Sequence, residues 1–480
     1  MMPNWAKPSA VSLTAAICGA ALTSCAPNLG PKPAIPSPTQ FETATSLPPG
    51  DQPWPSDGWW RDFGDPQLDQ LIGEAVANSP SMAEAAARIE VAKAQALGAR
   101  SALLPHLGAL GTVRETRVSQ NLGLPSNGDW SWLGAALFTG SFEIDFWGKN
   151  RAALKAATSE AKAASADAAA ARLTLAAAVA SAYVDFARLQ VNRDLAASDL
   201  QIRTQTRDLV ARRLEAGTAP KEAMAQADSD VQSATVRLQA LDESLGLSRH
   251  MIAALVGAGP DRGDRLTAPT LVNRRSMGLP SDLPLELVGR KPELVAARWR
   301  AEAAAQRIHV ARAAYYPNVN LMGIAGVASM GLDRLFEDRS ALASIGPAVS
   351  VPIFEGGRLE AGYRGARGEY DLAVASYRDV LLQSLRKAAD AVTSLKALQG
   401  QLEAADAAAT QAQRAYDLTN LRYKGGLIDY DTVLISENAL IDARDQAATL
   451  RLRGFELDTA LADALGGGFS GTLPDQGKSS

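Results

Sequence analysis

Residues able to do chemistry are few in this 480-residue chain, and the most reactive stand at its start. It has two cysteines, Cys18 and Cys25. Cys25 follows a short head carrying Lys7 and a mostly apolar run from Ala10 to Leu22. That run is too short to span a bilayer stably but suits the core of a secretory signal. Cys25 stands at its end, behind Leu22, Thr23 and Ser24. Residues 26–480 carry no cysteine. That excludes a disulfide, a Cys nucleophile and a Cys-ligated metal in the mature chain. The three histidines, His106, His250 and His309, lack paired ligand spacing and read as packing or surface residues. No P-loop and no lipase-type Ser motif is present. A net charge of −4 offers no basic footprint, so no nucleic-acid partner is expected.

The stretch Leu22-Thr23-Ser24-Cys25 resembles the lipobox of bacterial lipoproteins. That resemblance implies a signal peptide over residues 1–24 and acyl and diacylglycerol groups on Cys25, the sole expected covalent additions; no other cofactor is expected. Each buried CH2 of such chains contributes about 0.8 kcal/mol. Ala26 stands where Asp would signal inner-membrane retention, so sorting to the outer membrane is expected. Residues 25–56, the acylated N-terminus and a linker rich in Pro, Ser, Thr and Gly, read as a tether or draped strap. No later segment reads as a transmembrane helix.

The elements beyond the linker are written twice. Residues 80–107 and 292–319 align at a constant offset of 212 (292 − 80), with nine of 28 positions identical, among them Pro80/Pro292, Arg88/Arg300 and Pro105/Pro317. Downstream, FWGKNR (146–151) answers FEGGR (354–358), and RLEAGTAP (213–220) answers RYKGGLID (422–429). Both halves thus share one order: helix, strand-like pair, Gly-marked turn, very long helix, tip, return helix. Between Gly148 and Gly217 lie 68 residues without Gly or Pro, and 17 of the 31 residues 152–182 are Ala, the best helix former. Val191, Leu195, Ser198, Ile202, Gln205 and Leu209 recur at spacings of four and three, a partly polar coiled-coil seam. The expected division is 57–270 (β-hairpin 107–146, helical hairpin 148–257) and 271–466 (helix 292–316, β-hairpin 318–354, helical hairpin 358–465), with a flexible tail over 467–480.

The strand-like pieces alternate. From Trp130 to Phe146 every second residue is apolar or Gly, while the intervening positions are more polar. Trp130 and Trp132 stand at one end of the apolar face, Phe142 and Phe146 at the other, as in the aromatic girdles of membrane barrels. The partner strand is 107–118, and 119–129 reads as a loop. Four strands per chain cannot close a barrel, so an oligomer is expected.

WWRDFGDPQLDQLIGEAVANSP (59–80), RKPEL (290–294), YYPNVNL (315–321), PIFEGG (352–357) and LADALGGGF (461–469) resemble, in order, the landmarks of TolC-like outer-membrane factors of tripartite efflux systems, in their NodT-type lipoprotein branch. The resemblance implies a mainly α homotrimer with a 12-stranded outer-membrane β-barrel, continuous with a periplasmic α-helical barrel of coiled-coil hairpins. It implies a passive exit duct and no enzyme, with outer-membrane lipid, a periplasmic adaptor and an inner-membrane pump as partners. Arg213, Leu214 and Gly217, with Arg422, Tyr423 and Gly426, fit the family's adaptor-docking tips. For the aperture we expect Tyr423, Asp429, Asp431 and Ile435, because Ile435 and Asn438 stand where related chains carry Asp and Arg. A pore-free helical scaffold or adaptor-like lipoprotein is the alternative. If the barrel is an independent hold on the membrane, Cys25→Ser behind a cleavable signal still delivers membrane-inserted trimers; their complete loss in outer-membrane fractions overturns that expectation.

Overall fold

A computed structural model describes residues 27–117, 119, 129–272, 277–281 and 283–471. Cys25, the signal, most of the 119–129 loop and residues 472–480 lie outside the described residues. The first half runs α1 (Pro66–Asn78), α2 (Pro80–Ser101), β1 (His106–Arg117), β2 (Trp130–Glu143), α3 (Lys149–Glu215) and α4 (Lys221–Leu255). The second runs α5 (Leu283–Arg290), α6 (Pro292–Ala313), β3 (Asn318–Met330), β4 (Ala341–Ser350), α7 (Arg358–Lys424) and α8 (Tyr430–Ala464). Equivalent helices match in length: 22 residues for α2 and α6, 67 for α3 and α7, 35 for α4 and α8. At about 1.5 Å per residue the longest are rods of roughly 100 Å. The helix offset is 212 before the strands (292 − 80) and 209 after them (358 − 149), so the three-residue difference falls in the strand hairpins.

The strands form one antiparallel sheet in the order β1-β2-β3-β4, joined across the halves by β2 and β3. Directly paired residues share a face. The register Ala109↔Phe138, Phe138↔Ala325 and Ala325↔Ala343 therefore puts Leu107, Val113, Trp130, Trp132, Phe138, Phe142, Leu321, Val327, Ile345 and Val349 on one side. That side also carries Glu115 and Arg117, paired with Trp132 and Trp130 at the hairpin end. The other side is mixed: Thr112, Arg114, Thr116, Ser131, Thr139, Ser141 and Ser344 stand there with Leu110, Leu133, Leu137 and Ile324. The apolar face read from β2 thus continues into β1, β3 and β4, while the opposite face does not alternate as a polar one. Phe146 is a correction: β2 ends at Glu143, and Phe146 sits exposed in the turn to α3. The chain leaves the sheet because the Asp145 carboxylate accepts from the N–H groups of Asn150 (3.2 Å) and Arg151 (2.9 Å), capping α3 where the helix dipole favours an anion. β4 likewise stops at Ser350, short of residue 354, where Pro352 has no N–H to donate.

Helix α3 is the spine. It packs against α1, α2, α4, α6 and α8. By composition alone it contains a stretch long and apolar enough to cross a membrane, with mean hydropathy 1.2, but half of that stretch is buried inside the protomer. Midway along it, Val179, Tyr183 and Phe186 meet Leu68, Leu71 and Ile72 of α1 and the edge-to-face rings of Trp59, Trp60 and Phe63. A second cluster joins α7 to α6 and to Leu47 of the linker. The linker is a strap on α7: Arg367 donates to the Gly30 and Pro31 carbonyls, and the Tyr370 hydroxyl donates to that of Pro33 (3.0 Å). Residues 467–471 correct the expected flexible tail. Gly466, at φ 89° and with the Arg290 carbonyl 2.0 Å from where a Cβ would stand, lets the chain turn so that Phe469 packs beside Val295 and Trp299.

Asp65 ties the belt together. Its carboxylate accepts from the N–H of Gln67 (2.9 Å) at the start of α1, from the Tyr183 hydroxyl (2.7 Å) and from the N–H of Thr270 (2.7 Å). Burial, with Asp65 beside it, raises the Tyr183 pKa, so the phenol stays a donor. Asp65→Ala removes the cap and strands two buried donors, a loss of about 3 kcal/mol in stability by denaturant melting. Tyr183→Phe is milder, near 1 kcal/mol.

Candidate functional site

The two helical hairpins end in twin turns. Gly217 and Gly426 adopt φ 72° and 74° with open space where a Cβ would stand, so handedness and not room demands glycine. The Thr218 N–H reaches back to the Arg213 carbonyl (2.8 Å), and the Leu427 N–H to that of Arg422 (3.0 Å), closing the last turns of α3 and α7. Basic residues fill both last turns, where the helix dipole is negative.

These turns are fastened to each other within one protomer. The Arg213 guanidinium lies 4.0 Å from the centre of the Tyr423 ring and donates to the Tyr423 carbonyl. Tyr423 is 6.0 Å from the Tyr430 ring. Val210, Ala227, Tyr416, Val433 and Leu440 complete a core that draws on α3, α4, α7 and α8. The expected tip residues therefore divide. Arg213 and Leu214 are half-buried, while Gly217, Arg422 and Gly426 are exposed, with Leu421 and Leu427 exposed beside the second turn. The expected aperture group divides too. Asp429, Asp431 and Ile435 lie at the surface, Ile435 with 71% of its area exposed, whereas Tyr423 is only 3% exposed, in the core beside Tyr430. Asp429 occupies the N-cap position of α8 without bonding the helix, so its carboxylate is left to solvent.

The coiled-coil seam of α3 is broader than the sequence reading and centred one residue along. Of the expected positions Leu195, Ser198, Ile202 and Leu209 are half-buried, Ile202 and Leu209 against the tip core, while Val191 and Gln205 are exposed. Ala196, Asp199 and Val210 are buried, with Arg203 and Thr206 half-buried between them, at spacings of three and four. α3 packs on α4 and α8 at once, which widens its buried stripe beyond a two-helix seam. The shift turns a charged pair inward. Arg203 donates to Asp199 (2.9 Å) and to the Asn438 side-chain oxygen (2.8 Å) and lies 4.0 Å from Asp230. Asn438, read as a lost family arginine, is thus met by an arginine from α3. Glu437 closes the group and is 1% exposed. Burial, reinforced by Asp199 and Asp230 against the opposing Arg203, pushes its pKa up to about 7. Sequence reasoning missed this group; the one local signal was the Asp199–Arg203 spacing of four on α3. Among the described residues no group of three or more His, Cys, Asp or Glu side chains is placed to hold a metal ion.

The Arg213–Tyr423 contact predicts a graded result. Arg213→Ala weakens the hairpin ends by about 1–2 kcal/mol, read as faster hydrogen exchange over 421–430. Arg213→Lys does not restore protection, because an ammonium lacks the planar stack. Unchanged exchange in both variants contradicts this assignment.

The sequence model of the outer membrane efflux proteins matches residues 71–258 and 283–467, one segment in each half. The fusaric acid resistance protein FusA of Burkholderia cepacia is 38% identical over 65% of this chain, the match spanning 60% of FusA. The pyoverdine export outer membrane protein OpmQ of Pseudomonas aeruginosa is 32% identical over 86% of this chain and 87% of its own. Among solved structures, the outer membrane protein VceC of Vibrio cholerae superposes with a TM-score of 0.82 at 39% identity, covering 87% of this chain and all of VceC. With both halves matched by the family model and the fold shared with VceC, the chain belongs to the outer membrane efflux protein family.

Proposed function

We propose that this protein is the outer-membrane exit duct of a tripartite efflux assembly, conducting small molecules passively. Three copies contribute four strands each to a twelve-stranded barrel, and their hairpins join as a tunnel of twelve helices in the periplasm. The single observation that carries this reading is the sheet: one face that is apolar across all four strands except at Glu115 and Arg117 by the hairpin end, with open edges at β1 and β4, fused to rods of roughly 100 Å. A pore-free scaffold leaves that face and those edges without partners. FusA and OpmQ are named for fusaric acid resistance and pyoverdine export, which supports small organic molecules as cargo.

The remaining roles follow. Acylated Cys25 adds a lipid anchor to the barrel. Arg422, Gly426 and the exposed turn of Gly217, with Leu421 and Leu427, meet a periplasmic adaptor, and energy comes from an inner-membrane pump beyond it. Asp429, Asp431 and Ile435 line the constriction, with Tyr423 bracing them from behind. Purified protein is expected to run as a heat-modifiable trimer and to form discrete channels in planar bilayers. Alanine at Tyr423, Asp431 and Ile435 together raises single-channel conductance. A monomer without conductance rejects the duct, and wild-type conductance in the triple variant rejects the constriction.

A further inference from the structure

The junction of α3, α4 and α8 holds a carboxyl group that a tunnel wall does not require. Glu437 is 1% exposed and neither of its oxygens meets a donor. Asp199 and Arg203 face it from α3, Asp230 from α4 and Tyr416 from α7, with Tyr430 on its own helix. Arg237 of α4 and Arg444 and Asp445 of α8 join it around a small, partly open cavity of about 10 Å³, room for about one water. The Asp445 Oδ1 atom there is also without a donor. Arg203 is committed to Asp199 and Asn438. An ionised Glu437 is therefore a further negative charge beside Asp199 and Asp230 with no proton to accept; a protonated one is neutral and offers its own O–H.

We propose that Glu437 is a proton-operated fastener: protonated, it lets α8 lie against α3 and α4, and ionised, it loosens the hairpin end of the duct. It stands seven residues into α8, about 10 Å from the helix start and the twin turns. The direction follows from linkage. The pKa in the packed seam, about 7, is raised above the ordinary 4.5 that a parted seam restores. The fastening is complete below 4.5, weakens as pH rises, and is gone above about 7. Within that window each pH unit favours the parted seam by up to about tenfold per protomer. The consequence for transport rests on the duct reading: a tunnel end tight in acid and looser at neutral pH.

Full-length protein in detergent supplies the test, with Glu437→Gln as a mimic of the protonated acid and Asp230→Asn as a second variant. Infrared titration of the wild type is expected to show one protonated carboxyl disappearing near pH 7, absent in Glu437→Gln. Hydrogen-exchange protection over 430–441, corrected for intrinsic rate, falls from about pH 5 to about pH 7 and is level above it. Glu437→Gln stays protected throughout. Asp230→Asn removes a like charge and reaches its plateau at lower pH. The same pH dependence in Glu437→Gln as in wild type overturns the proposal, as does a Glu437 ionised throughout that range. Absence of conductance at every pH, with the protection change intact, rejects the duct and leaves the fastener standing.

Discussion

A sheet with open edges cannot stand alone in hydrocarbon. Every backbone N–H and C=O there needs a partner, and only closure supplies them all. Within this chain β1 and β4 each have one neighbour, so their outer edges must be met by other copies. The rest of the architecture follows from that constraint. Closing the sheet by rotation carries the attached hairpins round the same axis, and the long Ala-rich helices can lie close side by side because alanine adds almost no girth. The strap of residues 27–56 and the mid-height aromatic cluster then hold each protomer's rods at a fixed distance before any copy docks.

Much of this was legible because it is periodic. The duplication is visible as an offset of 212 before the strands and 209 after them, and the structure turns it into helices of equal length. The alternation from Trp130 to Phe142 marks one face of the sheet, and the register carries that face to β1, β3 and β4. Errors arose where a periodic signal met an aperiodic cause. The alternation appeared to continue to Phe146, but Asp145 was already capping α3. The heptad of α3 marks one edge of the buried stripe, with Ile202 and Leu209 on it, because a seam shared with two partner helices is broader than a stripe facing one. Gly467 and Gly468 fall within the expected flexible tail and instead form, with Gly466, a bend with φ values only glycine adopts readily.

The charged seam was illegible for another reason. Asp199, Arg203, Asp230 and Glu437 come from three helices across both halves, and no local pattern announces that Glu437 turns inward. On its own helix it is one polar residue among several. Packing alone sets its character: Leu440 and Tyr430 of its own helix are buried in the tip core, and the nearby guanidiniums turn to other partners, Arg203 to Asp199 and Asn438 and Arg444 to Gln413. The twin turns show the opposite case. Their glycines and basic residues are evident in sequence, yet which arginine faces inward is decided by the partner half, where Tyr423 offers Arg213 a ring while Leu214 offers Arg422 none.

The matched helix lengths have a consequence for how such a chain can change. One inserted residue in α3 adds about 1.5 Å of height and about 100° of rotation to everything beyond it. Made in one half alone, it would leave the rim of the assembly uneven and turn Arg213 away from Tyr423. Only paired insertions of near-heptad size, one in each half and one in each returning helix, keep the staves level. The distance between the membrane and whatever meets the tips is therefore inherited in coupled, discrete steps, and cannot drift residue by residue.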